Sequence, residues 1–360
     1  MVQYFLFYYV EGIEKIDFHL ILLLDFNNEL VTFALTMISI AIPIFNFDVR
    51  ELVTSLYKQL KANQVPFEIL CFDDGSDASF KSVNKSLSTL PFVYYNELEK
   101  NIGRSAIRNL LAKEARYPHI LFMDCDSCVV SEKYISNYLR FCKEEDVVVC
   151  GGRTYNIQAP LNSNEYFRWY YGVRREVKDA GYRNQNPNRS FMTNNFLISK
   201  SILEKISFDS NMKGYGHEDT LMGLELRKRN IHIIHINNPL SHIGLESSKE
   251  FLVKSRQAVS NLHYLLSRYK ADAPVISDDV KILKYYTRLA DMGVTKPLGI
   301  FYKFFKKAMV GNLLSSRPNL AIFDLYKLSY LASIHQNQEK VYKTNIVPQK
   351  ISKQVVLTQY

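Results

Sequence analysis

Between residues 38 and 150, short apolar runs recur, and most of them end in a polar cluster. ISIAIPIF (38–45) closes on Asn46 and Asp48, FEILCF (67–72) closes on DDGS, and HILFM (119–123) closes on DCDS. FVYYN (92–96) and DVVVC (146–150) are two further runs, the second ending in Gly151 and Gly152. Stretches of helical periodicity lie between them: VRELVTSLYKQLKA, for which Asp48 is the expected cap, a helix opening at Gly103 with SAIRNLLAKEA, and one around YISNYLRFC. Strands this short and this apolar, separated by helices, specify an α/β fold with a mostly parallel central sheet flanked by helices on both faces. Ligands of such sheets bind beyond the carboxyl ends of the strands. One crevice is therefore expected to collect FNFD, DDGS and DCDS.

Beyond Gly152 the order loosens. Residues 165–177 read as helix and are followed by an Asn-rich loop, the run FMTNNFLIS, the GYGHED segment (214–219) before another helix, and a strand in IHIIHI (231–236). From residue 248 a C-terminal helical region mixes aromatic and basic residues, and residues 336–360 read as a tail. The expected division is thus a catalytic domain over 37–247, helices over 248–335, and the tail. Residues 1–36 stand apart. Their apolar run IDFHLILLL is too short for a membrane span, which takes ~20 residues, and Asp17, His19 and Asp25 interrupt it. No basic segment precedes it and no small-residue cleavage site follows, so it does not read as a signal peptide. Met37 is the expected natural start, with 1–36 an upstream extension.

The net charge of +9 suggests nucleic acid until its distribution is examined. Residues 251–360 hold 17 Lys and Arg against 6 Asp and Glu, which leaves −2 for the first 250 residues. The basic excess is C-terminal, which argues against nucleic acid as a partner of the sheet. Peripheral contact of the basic helices with an anionic membrane face is the functional reading of that excess. Five cysteines (71, 125, 128, 142 and 150), with no second Cys-x-x-Cys and no His at finger spacing, fit a reduced, cytoplasmic setting.

FMDCDSCV (122–129) overlaps two motifs, Asp124-x-Asp126 and Cys125-x-x-Cys128. Side chains alternate in extended chain, so the carboxylates point one way and Cys125 points into the sheet. Paired carboxylates suit Mg2+ or Mn2+, which keep waters and accept phosphate oxygens as further ligands. The thiols lack the companions that zinc or a redox pair would need. Asp73 and Asp74 could accept hydrogen bonds from a base or a ribose, with Gly75 letting the chain turn. Gly103 opens a helix whose free amides suit anions, and Arg104 and Arg108 lie one turn apart on it. In GYGHED, Glu218 and Asp219 stand at a helix start; Asp219 is the candidate general base. His242, after the last strand, could complete a metal site.

Taken together, ISIAIPIFN, FDDGSD, NIGRSAIRN, FMDCDS and GYGHED resemble the family 2 glycosyltransferases of the GT-A fold, a Rossmann-like nucleotide-sugar-binding fold, in particular bacterial members that build surface polysaccharides. The likeness runs from Met37 to about Glu246. It implies that Pro43, Asn46, Asp74, Gly103, Arg108 and Asp124 contact the nucleotide, and that Asp126, Asp124 and His242 hold a divalent metal (Mn2+ or Mg2+). It further implies that Asp219 deprotonates the acceptor, aided by Glu218. The implied reaction is a one-sugar, inverting transfer from a nucleotide-sugar donor, UDP-linked, to a glycan or lipid-linked oligosaccharide at the inner face of the cytoplasmic membrane.

Two departures qualify the likeness. Phe45 stands where the family usually has Tyr, and the Gln-x-x-Arg-Trp signature of processive synthases does not follow the Glu-Asp pair; FRW at 167–169 precedes it. The competing readings are a retaining GT-A transferase, a nucleotidylyltransferase, which would want a Gly-rich loop that ISIAIPIFN lacks, and a non-catalytic nucleotide- or glycan-binding module.

Overall fold

The computed structural model describes residues 21–24, 30–33, 36–212 and 214–345, with side chains described for 36–212 and 214–335. Most of the 1–36 extension and the last fifteen residues of the expected tail lie outside that set. The parts of the extension that are described pair as a small antiparallel hairpin, Ile21–Leu24 with Leu30–Phe33.

Seven strands form the central sheet: β1 (Ile38–Ile44), β2 (Phe67–Asp73), β3 (Val93–Glu97), β4 (His119–Met123), β6 (Val148–Cys150), β8 (Asn195–Ser199) and β9 (Ile233–His235). A three-stranded sheet is built from β5 (Ser127–Val129), β7 (Arg153–Thr154) and β10 (Leu240–His242). The large sheet runs in the order β9, β6, β8, β4, β1, β2, β3. Only β8 runs against its neighbours; every other adjacent pair is parallel. The mostly parallel sheet read from the sequence is therefore the one observed.

Alternation along the strands builds two cores. Ile38, Ile40, Ile42 and Ile44 of β1, with Ile69 and Cys71 of β2 and Leu121 and Met123 of β4, face one side. There they meet Leu52, Val53, Leu56 and Leu60 of helix α1 (Arg50–Asn63), spaced to form one helical stripe. Ala41, Leu70, Phe72, Ile120 and Phe122 face the other side, against Ile107 and Leu111 of α2 (Arg104–Glu114) and Met222 and Leu226 of α3 (Glu218–Lys228). With both faces covered, side chains that follow the carboxyl ends of β1, β2 and β4 have the crevice as their outlet.

Several local readings shift. The Asp48 carboxylate accepts the Arg50 amide at 3.1 Å from one position before the cap, while the cap residue Val49 donates its own amide to Asn84 Oδ1 at 3.0 Å. The expected helix over 165–177 is shorter: it spans Tyr166–Tyr171 and widens into a π-turn over Gly172–Glu176. C-terminal helices α4 (Ser248–Arg268), α5 (Thr295–Leu313) and α6 (Leu320–Asn345) follow, and α6 carries the helical region ten residues past the expected boundary at 335. A capping box between Ser247 and Glu250 fixes the start of α4. Phe167, Phe251, Tyr302, Phe323 and Tyr326 then pack the helices together and onto the Tyr166–Tyr171 turn.

Candidate active site

The strand ends converge as expected. Pro43 and Phe45 at the end of β1, Asp74 after β2, and Asp124 and Asp126 after β4 line one crevice of about 350 Å³. Gly103, Arg104 and Arg108 close it from the start of α2, and Gly244 and Lys254 close it from the far end of the chain. Phe45 is half exposed there, so its aromatic face is open to a ligand. Asn46 lies outside this lining. Its backbone is left-handed (φ 50°), its amide donates to Ser76 Oγ at 2.8 Å, and its side-chain oxygen accepts the Asp77 amide at 2.8 Å. It shapes the rim by tying the β1 exit to the β2 exit.

Asp126 meets His242 because β5 and β10 pair antiparallel, with His242 opposite Ser127. The Ile243 amide donates to the Asp126 carbonyl at 2.9 Å, and a Cβ on Gly244 would sit 2.5 Å from Asp126 Cβ, so only glycine permits this approach. His242 Nδ1 then lies 3.4 Å from Asp126 Oδ1. Asp126 Oδ1 and both ring nitrogens of His242 are buried without a hydrogen-bond partner. Burial works against the Asp126 charge, but His242, Arg153 and Arg104 outweigh it and hold the carboxyl well below the usual range. A buried carboxylate and imidazole with idle lone pairs suit a divalent cation. Among the described residues no cluster of three or more His, Cys, Asp and Glu side chains is arranged to hold a metal. The donor set is thus two protein ligands, which fits an ion whose other positions go to water and phosphate oxygens.

Asp124 is placed differently from the joint site expected with Asp126. Arg108 Nη2 donates to its Oδ1 at 2.8 Å and Arg153 Nη2 to its Oδ2 at 3.2 Å, so each oxygen already meets a guanidinium. Arg108 is 2 % exposed, with no hydrogen bond at its Nε or Nη1. Behind Asp124 runs a chain of charges that the sequence did not reveal. Glu176 Oε2 takes Arg153 at 3.3 Å, Arg168 at 3.2 Å and the Tyr155 hydroxyl; Arg168 also lies 3.6 Å from Glu246, which lies 3.5 Å from Lys254. Burial pushes the Glu176 carboxyl up, yet Arg168 and Arg153 bring it down to about 2.

The DDGS acids turn inward. Asp73 accepts the Ser76 amide at 2.7 Å and the Tyr95 hydroxyl at 3.2 Å, and it is fully buried. Asp74 accepts the amides of Ile102 at 2.7 Å and Gly103 at 3.1 Å. Burial raises the Asp74 pKa, opposed by these two amides. Its carboxylate therefore holds the loop that opens α2, and Gly75 makes the approach possible: it has φ +76° and a Cβ there would come within 2.7 Å of Asn101 N.

At the start of α3 the two acids divide. Glu218 reaches Arg104 at 3.7 Å and Arg108 at 4.0 Å, and on its other side it lines a polar cavity of about 310 Å³ with Asp209, Glu225 and Tyr269. Asp219 Oδ1 accepts the Thr220 amide at 2.9 Å. Burial, then the neighbouring charge of Glu218, lift the Asp219 carboxyl to about 7, against the pull of Thr220 and Arg108. A carboxylate with that affinity for protons is matched to base catalysis near neutrality. Arg104 also lies over the Tyr215 ring, 4.9 Å from its centroid, tying the GYGHED loop to α2.

All five cysteines are free thiols. Cys125 packs against the core on the α1 side, and burial pushes its thiol up to about 12. It packs behind Asp126 but is partly exposed, and it lines the crevice itself.

Residues 39–207 match the family model described as Glycosyl transferase family 2. Chondroitin synthase of Pasteurella multocida (strain Pm70) is 24% identical over an alignment of 220 positions that covers 52% of this chain and 23% of that protein. The chain thus spans less than a quarter of that relative's length. Among solved structures, the mannosyltransferase PcManGT from Pyrobaculum calidifontis, in complex with GDP-Man and Mn2+, superimposes at TM-score 0.50 with 12% identity, over 84% of this chain and 87% of that one. TarS 1–349 of S. aureus aligns over 84% of this chain and 92% of its own at TM-score 0.44 with 15% identity. The mixed seven-stranded sheet with its C-terminal helices has the GT-A fold.

Proposed function

We propose, from the premise that residues 39–207 are a glycosyl transferase family 2 domain, that the protein moves one sugar from a nucleotide-sugar donor, UDP-linked, to a hydroxyl of a glycan or lipid-linked acceptor in surface-polysaccharide synthesis. The observation that carries the reading is the meeting of Asp126 and His242, with idle donor atoms, in a crevice that also presents Arg104, Arg108 and the start of α2. A divalent cation held by these two residues would supply positive charge for the departing diphosphate. Pro43 and Phe45 face the base, and the loop that Asp74 holds sets Gly103 and Arg108 toward the diphosphate. Asp124, fixed by Arg108 and Arg153, faces the ribose beside the metal pair.

In the reaction the acceptor oxygen attacks the anomeric carbon, the bond to the diphosphate breaks with its electron pair on the leaving group, and Asp219 takes the acceptor proton. Glu218 holds acceptor hydroxyls from the cavity it shares with Asp209 and Tyr269. A single displacement of this kind inverts the anomeric centre. The catalytic unit is taken as 37–247, with the helices of 248–335 bracing it through Glu246 and Lys254. No helix among the described residues is long and apolar enough to cross a membrane. The C-terminal excess of positive charge supports a peripheral place at the inner face of the cytoplasmic membrane, where lipid-linked acceptors are met. The test is a screen of UDP- and GDP-sugars for nucleotide release with Mn2+, with Mg2+ and with chelator. Release from no donor in any condition would contradict the reading.

A further inference from the structure

We infer that the C-terminal helices carry a phosphate-binding pocket that seats the headgroup of an anionic membrane phospholipid. The pocket, about 330 Å³, lies between α4, α5 and α6, and its polar lining is Arg256, Tyr302, Lys306, Lys307 and Tyr326. Three cations and two hydroxyls line it, and no carboxylate does. Among the described residues none of the three cations stands within 4.0 Å of a carboxylate, whereas Arg175, Arg227 and Lys228 all do. Arg256 lies against the hydroxyls of Tyr302 and Tyr326, which hold its charge against burial. The Tyr326 hydroxyl, on a side chain 1 % exposed, faces Arg256 and Tyr302. Buried hydroxyls among cations that no carboxylate neutralises make an environment a phosphate oxygen completes.

The rim identifies the source of that phosphate. Ile300, Phe304, Lys307 and Gly311 follow one another at helical spacing on α5, so the basic mouth continues into an apolar stripe. Phe304 is 78 % exposed and Ile300 is 50 % exposed. A soluble phosphate would leave those side chains in water. A lipid offers a phosphate to the pocket and acyl chain to the stripe, as interfacial helices use them. The inference rests on the membrane placement proposed above and not on the transfer reaction.

The full chain is tested by co-sedimentation with phosphatidylcholine vesicles, with and without phosphatidylglycerol. Wild type should bind only the mixed vesicles. The Arg256→Gln, Lys306→Ala, Lys307→Ala triple variant should weaken binding roughly tenfold or more, since each basic residue at the surface contributes several-fold. Phe304→Ser should weaken it at unchanged charge. Lys281→Ala with Arg317→Ala, both exposed and outside the pocket, should change it little. Equal loss in that control and in the pocket variant would mean diffuse attraction and overturn the pocket while leaving the membrane placement standing. Absence of wild-type binding to either vesicle would overturn both. Binding of inorganic phosphate that vesicles do not displace would assign the pocket to a soluble anion and overturn the lipid. Nucleotide release from a soluble donor, measured in parallel, should be unchanged in every variant, which confirms that each is folded.

Discussion

His242 Nδ1 lies 3.4 Å from Asp126 Oδ1, and neither atom has a hydrogen-bond partner among the described residues. Two such groups cost stability when left idle and become an asset when a cation joins them. Asp126→Ala and His242→Ala should each weaken the affinity for Mn2+ in the presence of nucleotide about tenfold or more. Calorimetry of Mn2+ binding with UDP present checks this. An unchanged affinity in both variants would remove the pair from the metal site.

Glu176 faces Arg153, Arg168 and the Tyr155 hydroxyl from one carboxylate. Glu176→Gln leaves two guanidinium groups with less compensation and should cost about 3 kcal/mol, as breaking a buried ion pair does. The urea midpoint reads the loss. The pH dependence has a defined sign. The folded pKa of about 2 lies below the ordinary 4.5, so the contribution is present above 4.5 and lost as pH falls toward 2. Wild type should lose stability across that window more steeply than the variant.

Asp219 has the opposite sign. Its folded pKa of about 7 lies above the ordinary 3.8, so the stability tied to its proton is present below 3.8 and lost as pH rises through 7. Asp219→Asn should therefore melt higher than wild type at pH 8 and close to it at pH 4. As general base the group must be ionised, so kcat/KM should climb as pH passes about 7. A melting difference that is the same at both pH values would contradict the burial of this carboxyl.

Cys125 packs against the α1-side core behind Asp126, Cys128 lies on β5, and both are partly exposed. Replacing both with Ala should cost about 1 kcal/mol, in the ordinary range for a modest packing change. Metal dependence of nucleotide release should remain. Its loss would return the thiols to the metal site.

Some of this site is written plainly in the chain, and some is not. The strand ends were legible because apolar runs and polar clusters are local signals, and the topology of a covered parallel sheet sends them all to one edge. His242 stood out as a lone histidine, but its partner follows from the β5–β10 register, a pairing of chain segments more than a hundred residues apart. The Asp-x-Asp spacing pairs Asp124 with Asp126, but no motif surrounds Arg153, and only the fold brings its guanidinium to the second oxygen of Asp124. Arg168 sits in the FRW stretch that has the wrong place for a synthase signature, and its burial with Glu176 and Glu246 shows a bracing role that spacing alone does not encode. Asp74 has the place of a ligand group and lines the crevice, but its hold on the loop amides of Ile102 and Gly103, one on each oxygen, is visible only in the fold.

The central claim is that Asp219 takes the acceptor proton in a sugar transfer. With the donor that the nucleotide-release screen identifies, wild type and Asp219→Asn are compared for turnover and for nucleotide affinity. The account predicts turnover lowered at least a hundredfold, on the order of what a general base contributes, with nucleotide affinity changed far less, since Asp219 is not among the residues that line the crevice with Pro43, Asp74 and Gly103. Turnover in Asp219→Asn equal to wild type would contradict it.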